Sequence, residues 1–347
     1  MVNMKLLVIT QKVDERDGVL GFFHRWLVEF SKHFEYITVI CLGRGEYHLP
    51  ENVKVLSLGK ERGVSKFRYL LNFYTYIWSE RKNYDAVFVH MNQEYILLGW
   101  KVWKLLGKKI YFWRNHKVGN FLTRISVWVS DRVFCTSKGS FTSRFKKTIY
   151  MPVGVDSEFF CKSSDVKKTP NSILLLTRIS PVKHVDVFID ALYKLNDLNT
   201  NFTAYIYGDP TSSDHEYFSK IKFQADKLVR SGKLVFKKGV PNTETPRIYN
   251  EHEIFVNLTD SGSFDKTIIE AMLCETLVLV SNESLKDLIG EQLMFKDRDS
   301  TNLAQKLNDV LKLSQEQKET LAQKLKNTAQ KHSLENLMKQ LVGVMQK

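Results

Sequence analysis

The sequence predicts an α/β fold built from two doubly wound domains with parallel sheets. Short runs of β-branched and leucine residues alternate with longer amphipathic stretches, the pattern of a parallel sheet covered by helices. The 347 residues exceed what one core comfortably holds, and the alternation stops at YMPVGVDSEFF (150–160) before it restarts. We therefore expect two domains, with a ligand in the cleft between them at the carboxyl ends of the strands.

The same alternation predicts the individual elements. In the first half, strands are expected at 5–10, 37–42, 53–58, 86–90, 109–114 and 132–137, and helices at 20–33, 66–82, 94–106 and 119–129. In the second half, strands are expected at 172–177, 202–208, 234–239, 254–258 and 276–281, and helices at 182–195, 214–230, 243–250 and 265–273. The tail, 300–347, is predicted to be helical.

The positive charge is concentrated in the first half. Residues 1–150 hold 25 Lys and Arg against 12 Asp and Glu, whereas residues 151–347 hold 26 of each, so the net charge of +13 belongs to the first half. Together with Trp100, Trp103, Trp113 and Trp128, this surplus suits anionic lipid, a phosphorylated substrate or nucleic acid. An ordinary basic surface is the alternative.

The sequence also limits the cellular setting. Four cysteines lie far apart without a CxxC motif, so we expect reduced, buried thiols in a cytoplasmic protein. MVNMKLLVIT is better explained as a first strand than as a signal peptide. No apolar run approaches the roughly 20 residues that span a bilayer, so membrane contact is expected to be peripheral.

Two cations follow the strand at 172–177, where the next helix begins. Arg178 can grip phosphate oxygens in a fork, Lys183 supplies a compact charge, and the helix N-terminus adds backbone donors. This arrangement favours a diphosphate, although surface cations at a helix start are the alternative. The turns at Gly208-Asp209 and Gly239-Val240 are expected near the same strand ends.

SGSFDKTIIEAM (261–272) places one acid, Glu270, in an otherwise apolar helix. An unpaired buried carboxylate costs several kcal/mol, so Glu270 needs a polar partner. A ribose diol offers two O–H donors to the two carboxylate oxygens. Pairing with Arg178 or Lys183 is the alternative that the sequence leaves open.

Four motifs of the second half resemble the nucleotide-sugar-binding half of a family 4 glycosyltransferase of the GT-B fold. In chain order they are TRISPVKHVDVFIDAL, YIYGDP, FKKGVP and SGSFDKTIIEAMLCETLVLVS. The resemblance covers roughly residues 150–285. It implies that Arg178 and Lys183 hold the donor diphosphate and that Glu270 binds the ribose. It also implies transfer with retention of configuration, a UDP- or GDP-linked hexose donor, no metal and no cofactor beyond this co-substrate.

The chain departs from the family pattern twice. Gly262 stands where many members have a second Glu, so backbone N–H groups of Gly262, Ser263 and Phe264, with Lys266 nearby, are expected to hold sugar or phosphate. Glu275 stands where a Gly is usual after the helix, which puts the local turn in doubt.

In the first half, His90 and His116 each follow a strand end, and His116 resembles the family's active-site histidine. Gly21 lies between the first strand and helix, where backbone can approach a ligand. The predicted catalytic residues are His116, Arg178 and Lys183. The predicted acceptor-side residues are Gly21, His90 and Asn92. The predicted donor-binding residues are Gly208, Asp209, Val240, Gly262, Ser263, Phe264, Asp265, Lys266, Thr267 and Glu270.

The resemblance implies three segments: an acceptor-binding domain at 1–152, a nucleotide-sugar-binding domain at 153–330, and a C-terminal helix at 331–347 that packs back toward the first domain. YILLGWKVWKLLGKK (95–109) has the tryptophans and lysines of an interfacial helix, so we expect a polyprenyl-diphosphate-linked glycan acceptor on the cytoplasmic leaflet. A core-packed helix with a basic end is the alternative.

The predicted function is a retaining glycosyltransferase that moves a hexose onto a glycan or lipid-linked acceptor in cell-surface polysaccharide or glycoconjugate synthesis. A GT-B-fold epimerase would act on the nucleotide sugar without an acceptor. A nucleic-acid-binding protein would show salt-sensitive binding without donor turnover, but no recognised nucleic-acid motif is present, so no nucleic-acid partner is expected.

Overall fold

The computed structural model describes residues 2–261 and 264–346. They form two compact units. Unit 1 runs to Gly154 and takes up the chain again from Leu334 onward, and unit 2 comprises Val155–Ser333. The break between the units falls within the YMPVGVDSEFF segment.

Unit 1 alternates strands and helices. Its strands are β1 (Val2–Val13), β2 (Phe34–Arg44), β3 (Val53–Ser57), β4 (Ala86–His90), β5 (Lys109–Trp113), β6 (Arg132–Cys135) and β7 (Thr148–Tyr150). Its helices are α1 (Gly21–Ser31), α2 (Lys66–Ser79), α3 (Gln93–Leu105) and α4 (Phe121–Val129), with α12 (Leu334–Met345) added from the C-terminal end of the chain.

The seven strands of unit 1 form one parallel sheet in the order β3-β2-β1-β4-β5-β6-β7. Side chains of α2, α3 and α4 share one core with one face of the sheet. Side chains of α1 and α12 share the core on the other face. The sheet is therefore covered on both faces, as the hydrophobic runs of its central strands require.

Unit 2 repeats the design with fewer strands. Its strands are β8 (Thr169–Leu176), β9 (Thr203–Tyr207), β10 (Leu234–Lys237), β11 (His252–Asn257) and β12 (Leu277–Val280). Its helices are α5 (Val185–Asp197), α6 (His215–Arg230), α7 (Thr245–Glu251), α8 (Lys266–Leu273), α9 (Lys286–Ile289), α10 (Ser300–Leu311) and α11 (Gln315–Ala329).

The strand order of unit 2 is β10-β9-β8-β11-β12, and all pairs are parallel. From β8 the chain adds β9 and β10 on one side of the sheet. It then crosses to the other side of β8 and adds β11 and β12. The strand order therefore reverses between β8 and β11, and in doubly wound sheets this is the place where ligands bind.

Every predicted strand and helix is confirmed, with ends shifted by a few residues. The three-residue β7 was not predicted. The expectation of four buried thiols is wrong for one residue: Cys41, Cys135 and Cys274 are buried, but Cys161 is exposed. It precedes β8 in a connecting segment, where no apolar layer covers it.

Glu275 replaces the usual glycine without preventing the turn. Its φ is +55°, the left-handed conformation that glycine adopts more easily. Its carboxylate lies 2.7 Å from Lys162 Nζ and 2.8 Å from Lys326 Nζ. Burial would raise the pKa of Glu275, but hydrogen bonds from these two lysines outweigh burial and lower it. The two ion pairs offset part of the backbone strain.

The expected interfacial helix at 95–109 is a core helix instead. In α3, Ile96, Gly99 and Trp103 are buried, and Trp103 packs against Phe73 of α2 with ring centroids 6.2 Å apart. Trp113, on β5, is also buried. A helix that buries its apolar face against a sheet has the same periodicity as one that lies on lipid, so the sequence pattern did not distinguish them. No helix within residues 2–261 and 264–346 is long and apolar enough to cross a bilayer.

Helix α12 is a structural part of unit 1, and its removal should be costly. Leu341 is fully buried in the core that α12 shares with α1 and β1. We expect Leu341→Ala to lower the free energy of unfolding by about 2–5 kcal/mol, the usual cost of emptying a buried leucine site. Chemical denaturation measures this change. Leu105→Ala is the matched control, because Leu105 is 81% exposed and its loss should change stability by less than about 0.5 kcal/mol. Equal effects of the two substitutions would contradict this placement of α12.

Candidate nucleotide-sugar site

The candidate site lies in unit 2, where the carboxyl ends of β8 and β11 lie side by side. The segment after β8 contains Arg178 and the single turn Pro181–Lys183, and it leads into α5. The segment after β11 leads into α8. Because β8 and β11 are parallel neighbours, both segments leave the sheet at the same edge.

An ion pair joins these two segments. Lys183 Nζ lies 3.2 Å from Asp265 Oδ2 and donates to Thr259 Oγ1 at 3.3 Å. Asp265 also accepts from Thr259 Oγ1 at 2.9 Å, from Asn257 Nδ2 at 3.2 Å and from Thr267 Oγ1 at 2.8 Å. We call Asn257, Thr259, Asp265, Thr267 and Lys183 the switch-point cluster.

Asp265 is ionised in this cluster. Burial would raise the pKa of its carboxyl, but the charge of Lys183 and the hydrogen bonds from Thr267, Thr259 and Asn257 lower it to about 2. Asp265 is also the N-cap of α8, since it accepts from the backbone N–H of Thr267 at 3.2 Å. The carboxylate therefore fixes the start of α8 and the position of the Lys183 ammonium.

Glu270 lies one turn inside α8 and is 5% exposed. Tyr249 Oη, from α7, donates to Glu270 Oε2 at 3.1 Å. Burial, and then the charge of Glu270, raise the pKa of Tyr249 far above its usual value, so the phenol keeps its proton and remains a donor. The described hydrogen bond of Glu270 thus comes from Tyr249, whereas Lys183 is bonded to Asp265. Sequence analysis had considered Lys183 or Arg178 as the partner of Glu270.

Lys266 begins α8, four residues before Glu270 and on the same side of the helix. Burial lowers the pKa of Lys266 to about 7, and the charge of Glu270 opposes this decrease. The lysine therefore changes its charge near neutral pH.

The turns at Gly208 and Asp209 are held by protein contacts. A Cβ on Gly208 would lie 1.8 Å from the carbonyl oxygen of Thr177, so only glycine fits beside the segment after β8. Asp209 Oδ2 accepts from the backbone N–H of Gly239 at 3.0 Å and joins the segments after β9 and β10. The structure therefore gives both residues a role in shaping the loops at this sheet edge.

The other predicted donor residues are placed as follows. Arg178 is exposed and Val240 is half-buried, each in a loop after a strand, β8 and β10 respectively. The Phe264 ring lies 5.3 Å from the ring of His332. Gly262 and Ser263 lie outside the described residues.

In unit 1, His90 is the last residue of β4 and His116 lies in the loop after the neighbouring β5, but only His116 is accessible. His90 is 4% exposed, stacks on Phe23 with ring centroids 4.2 Å apart, and has Nδ1 3.4 Å from Thr10 Oγ1. These contacts are those of a core histidine. His116 is exposed in the loop after β5, with Nδ1 3.0 Å from the carbonyl oxygen of Val118.

The two remaining acceptor-side predictions are helix starts. Gly21 is the first residue of α1 and is buried, and a Cβ there would lie 3.0 Å from the Glu15 carbonyl oxygen. Asn92 is the N-cap of α3. The close approach of the Glu15 carbonyl favours a small residue at the start of α1, independently of any ligand.

Sequence reasoning did not find several members of the site. Tyr249 is 21 residues from Glu270, and Asn257 ends β11 without a local motif. His184, whose Nε2 lies 3.0 Å from Asp260 Oδ1, was likewise missed. Because these partners are brought together only by the fold, no spacing in the sequence marked them. Asp299 is the N-cap of α10, since it accepts from the backbone N–H of Asn302 at 2.8 Å. No group of three or more His, Cys, Asp or Glu residues is placed to hold a metal ion in the described ranges.

The chain resembles solved structures over nearly its whole length. HepE of Anabaena, solved with UDP and glucose, is 18% identical, covers 99% of this chain and 100% of its own, and gives a TM-score of 0.79. A glycosyltransferase from Rickettsia africae gives 14% identity, coverages of 99% and 98%, and a TM-score of 0.76. Sucrose-phosphate synthase from Thermosynechococcus elongatus gives 13% identity, the same coverages and a TM-score of 0.76. These similarities show the GT-B fold.

A family model also matches the half of the chain that holds the candidate site. The comparison with curated protein sequences gave no match. The model described as "Glycosyl transferases group 1" matches residues 156–332, which is more than half of the chain and nearly all of unit 2. The narrower assignment to family 4 stays a prediction. The chain therefore belongs to the glycosyl transferases group 1 family, and it is a glycosyltransferase of the GT-B fold.

Proposed function

We propose that this enzyme transfers a hexose, with retention of configuration, from a UDP- or GDP-linked donor to a glycan or lipid-linked acceptor. The observation that supports the donor class most strongly is the arrangement of Lys183 and Glu270 at the β8/β11 edge, on two segments joined by the Lys183–Asp265 ion pair. A cation for phosphate and a carboxylate for a diol on one sheet edge match the two polar parts of a nucleoside diphosphate.

The diphosphate would bind to Lys183, Arg178 and the N-terminal end of α8. Lys183 is already held by Asp265 and Thr259, so little side-chain entropy is lost when a phosphate oxygen binds beside it. Arg178 is exposed and supplies a forked donor. Both cations would stabilise the charge that develops on the diphosphate as the bond to the sugar breaks.

The ribose would bind to Glu270. Tyr249 occupies Oε2 from the α7 side and orients the carboxylate. The ribose hydroxyls would donate to the Glu270 carboxylate. Lys266, which begins the same helix, would contact the sugar or the β-phosphate.

UDP is the first nucleotide to test because the similar Anabaena protein was solved with it. For the chemistry, we propose attack on the anomeric carbon from the face that the diphosphate leaves. The acceptor oxygen forms the new bond, the diphosphate takes the bonding electron pair, and one of its oxygens accepts the hydroxyl proton. This course needs no carboxylate nucleophile at Gly262.

The acceptor is assigned to unit 1, with His116 as its catalytic residue. His116 is exposed after β5, as a proton-handling or acceptor-binding group must be. His90, buried against Phe23, would support the shape of that region rather than contact the acceptor. We propose that the enzyme works in the cytoplasm, in the synthesis of a cell-surface polysaccharide or glycoconjugate.

The role of Glu270 can be separated from its structural role by pairing variants with ligands. Glu270→Gln keeps the shape of the side chain and an oxygen that can accept from Tyr249, but it removes the charge. We expect affinity for UDP to fall about tenfold or more, the usual value of a hydrogen bond to a charged group. With 2′,3′-dideoxy-UDP the same substitution should have little effect. Isothermal titration calorimetry measures the affinities of the wild type and of Glu270→Gln for UDP and for its dideoxy analogue.

Tyr249→Phe is the control for this comparison, since it removes the hydrogen bond to Glu270 but keeps the carboxylate that is proposed to bind the ribose. We expect it to weaken UDP binding less than Glu270→Gln does. Equal losses for UDP and its dideoxy analogue would show that Glu270 does not bind the ribose. If neither UDP nor GDP binds the wild type, the proposed function fails.

Lys183 cannot be tested alone, because its removal leaves the Asp265 carboxylate buried without its cation. We expect Lys183→Met to cost about 2 kcal/mol of stability and to weaken UDP binding about tenfold or more. Adding Asp265→Asn should restore most of the stability but not the UDP affinity. Binding of uridine, which lacks phosphate, should not change. Denaturant unfolding measures the stability, and calorimetry measures the affinity for UDP and for uridine. Recovery of UDP affinity in the double variant would contradict the proposed contact between Lys183 and the phosphate.

Lys266 should give donor binding a pH dependence. Its pKa of about 7 in the free protein means that it is mostly charged at pH 6 and mostly neutral at pH 8. An anionic ligand raises that pKa, so affinity should fall as pH rises through 7. A UDP-sugar is the appropriate probe, because its diphosphate diester does not titrate in this range. In Lys266→Arg, which stays charged, affinity should be nearly independent of pH; an unchanged pH profile would exclude Lys266.

A further inference from the structure

The outer side of α2 carries an apolar stripe that the core does not use. Phe67, Leu71, Tyr74 and Trp78 recur at the helical spacing i, i+4, i+7 and i+11, and they are 68%, 43%, 39% and 51% exposed. The core of unit 1 is contacted instead by Phe73 and Ile77, from a different side of α2. The stripe spans about 16 Å of helix, at 1.5 Å per residue.

The neighbouring helices extend this stripe into a surface. Helices α2, α3 and α4 cover the same face of the sheet, and Tyr74 Oη of α2 donates to the Leu98 carbonyl of α3 at 3.0 Å. On α4, Phe121 and Trp128 are each 73% exposed, and on α3 Leu105 is 81% exposed. We call the outward side of these three helices the α2–α4 face. Isolated exposed apolar residues are ordinary, but an exposed stripe on α2 together with exposed apolar residues on two further helices of the same sheet face is not.

The α2–α4 face is also basic. The three helices contain Lys66, Arg68, Lys101, Lys104 and Arg124 against one acid, Glu94. Arg81, at the end of α2, holds its guanidinium carbon 4.9 Å from the centre of the Trp78 ring. Lys104 forms an ion pair with Asp131 at 2.8 Å. The remaining cations, Lys66, Arg68, Lys101 and Arg124, are exposed.

We propose that the α2–α4 face docks on an anionic lipid surface, with α2 lying in the interfacial plane. Aromatic and aliphatic side chains on one side of a helix with Lys and Arg beside them suit the boundary between headgroups and acyl chains. Each Lys or Arg near an anionic leaflet adds to the attraction. A second copy of this chain fits poorly, because self-association through this face would place its cations against one another. A protein partner fits less well too, since protein interfaces are depleted in lysine.

This proposal moves the centre of the membrane contact from the predicted helix at 95–109 to α2, while the exposed sides of α3 and α4 remain part of the face. It rests on the proposed function in one respect: a lipid-linked acceptor would give the enzyme a reason to bind a leaflet. It does not depend on donor chemistry, so vesicle binding and UDP binding fail independently.

Sedimentation with vesicles tests the proposal. We compare phosphatidylcholine vesicles with vesicles that also contain one third phosphatidylglycerol, at low and high salt. The wild type should bind the anionic vesicles, and binding should weaken as salt increases. Phe67→Ser with Trp78→Ser should lower the partition coefficient about tenfold or more. Arg68→Glu with Lys101→Glu should lower it as well.

Phe223→Ser, on α6 of unit 2, is the matched control because Phe223 is 87% exposed but lies on the other unit. It should leave vesicle binding unchanged. Circular dichroism and chemical denaturation of every variant verify folding without relying on a ligand. Failure of the wild type to bind anionic vesicles would overturn the proposal, and so would equal loss in the control. A concentration-dependent dimer that Phe67→Ser with Trp78→Ser abolishes would assign the face to a second copy instead.

Discussion

The candidate site depends on one carboxylate. Asp265 caps α8, holds Lys183 and accepts hydrogen bonds from three further side chains. A largely buried anion is tolerated only if its partners repay its lost hydration, and here one cation and three neutral donors do so. The same bonds connect the segment after β8 to the segment after β11. The position of the Lys183 ammonium and the start of α8 are therefore set by a single group.

This arrangement explains why α8 can hold two ionisable residues near its start. Asp265 stabilises the N-terminus of α8 through its negative charge and through the hydrogen bond that it accepts as the N-cap. Lys266 does not, and burial lowers its pKa toward neutrality. Glu270 is one turn further along, where Tyr249 supplies a donor from another helix. An anionic ligand bound at this end of α8 would lie near the helix N-terminus, the Lys183 ammonium and Lys266. Its negative charge would favour the protonated form of Lys266.

The sequence predicted the fold well because the periodicity of each segment is strong and the breaks between segments contain Gly, Pro or polar residues. It predicted Lys183 and Glu270 as site residues because cations and acids at strand ends and helix starts are informative by position alone. It could not predict that Asp265 holds Lys183 or that Tyr249 holds Glu270, since both pairings cross between elements. It did not predict the exposed apolar stripe of α2. The tryptophans of α3 drew attention to a helix that buries Trp103 and partly buries Trp100, whereas the apolar stripe of α2 is exposed. Only the packing of each helix against the sheet separates the two cases.

The most direct test of the central claim is a crystal structure of the enzyme with UDP. The account predicts that the Glu270 carboxylate lies within hydrogen-bond distance of the ribose 2′- and 3′-hydroxyls while Tyr249 still donates to it. It also predicts that Lys183 Nζ contacts a diphosphate oxygen at the β8/β11 edge. A nucleotide bound elsewhere on unit 2, or a ribose that does not contact Glu270, would contradict the account.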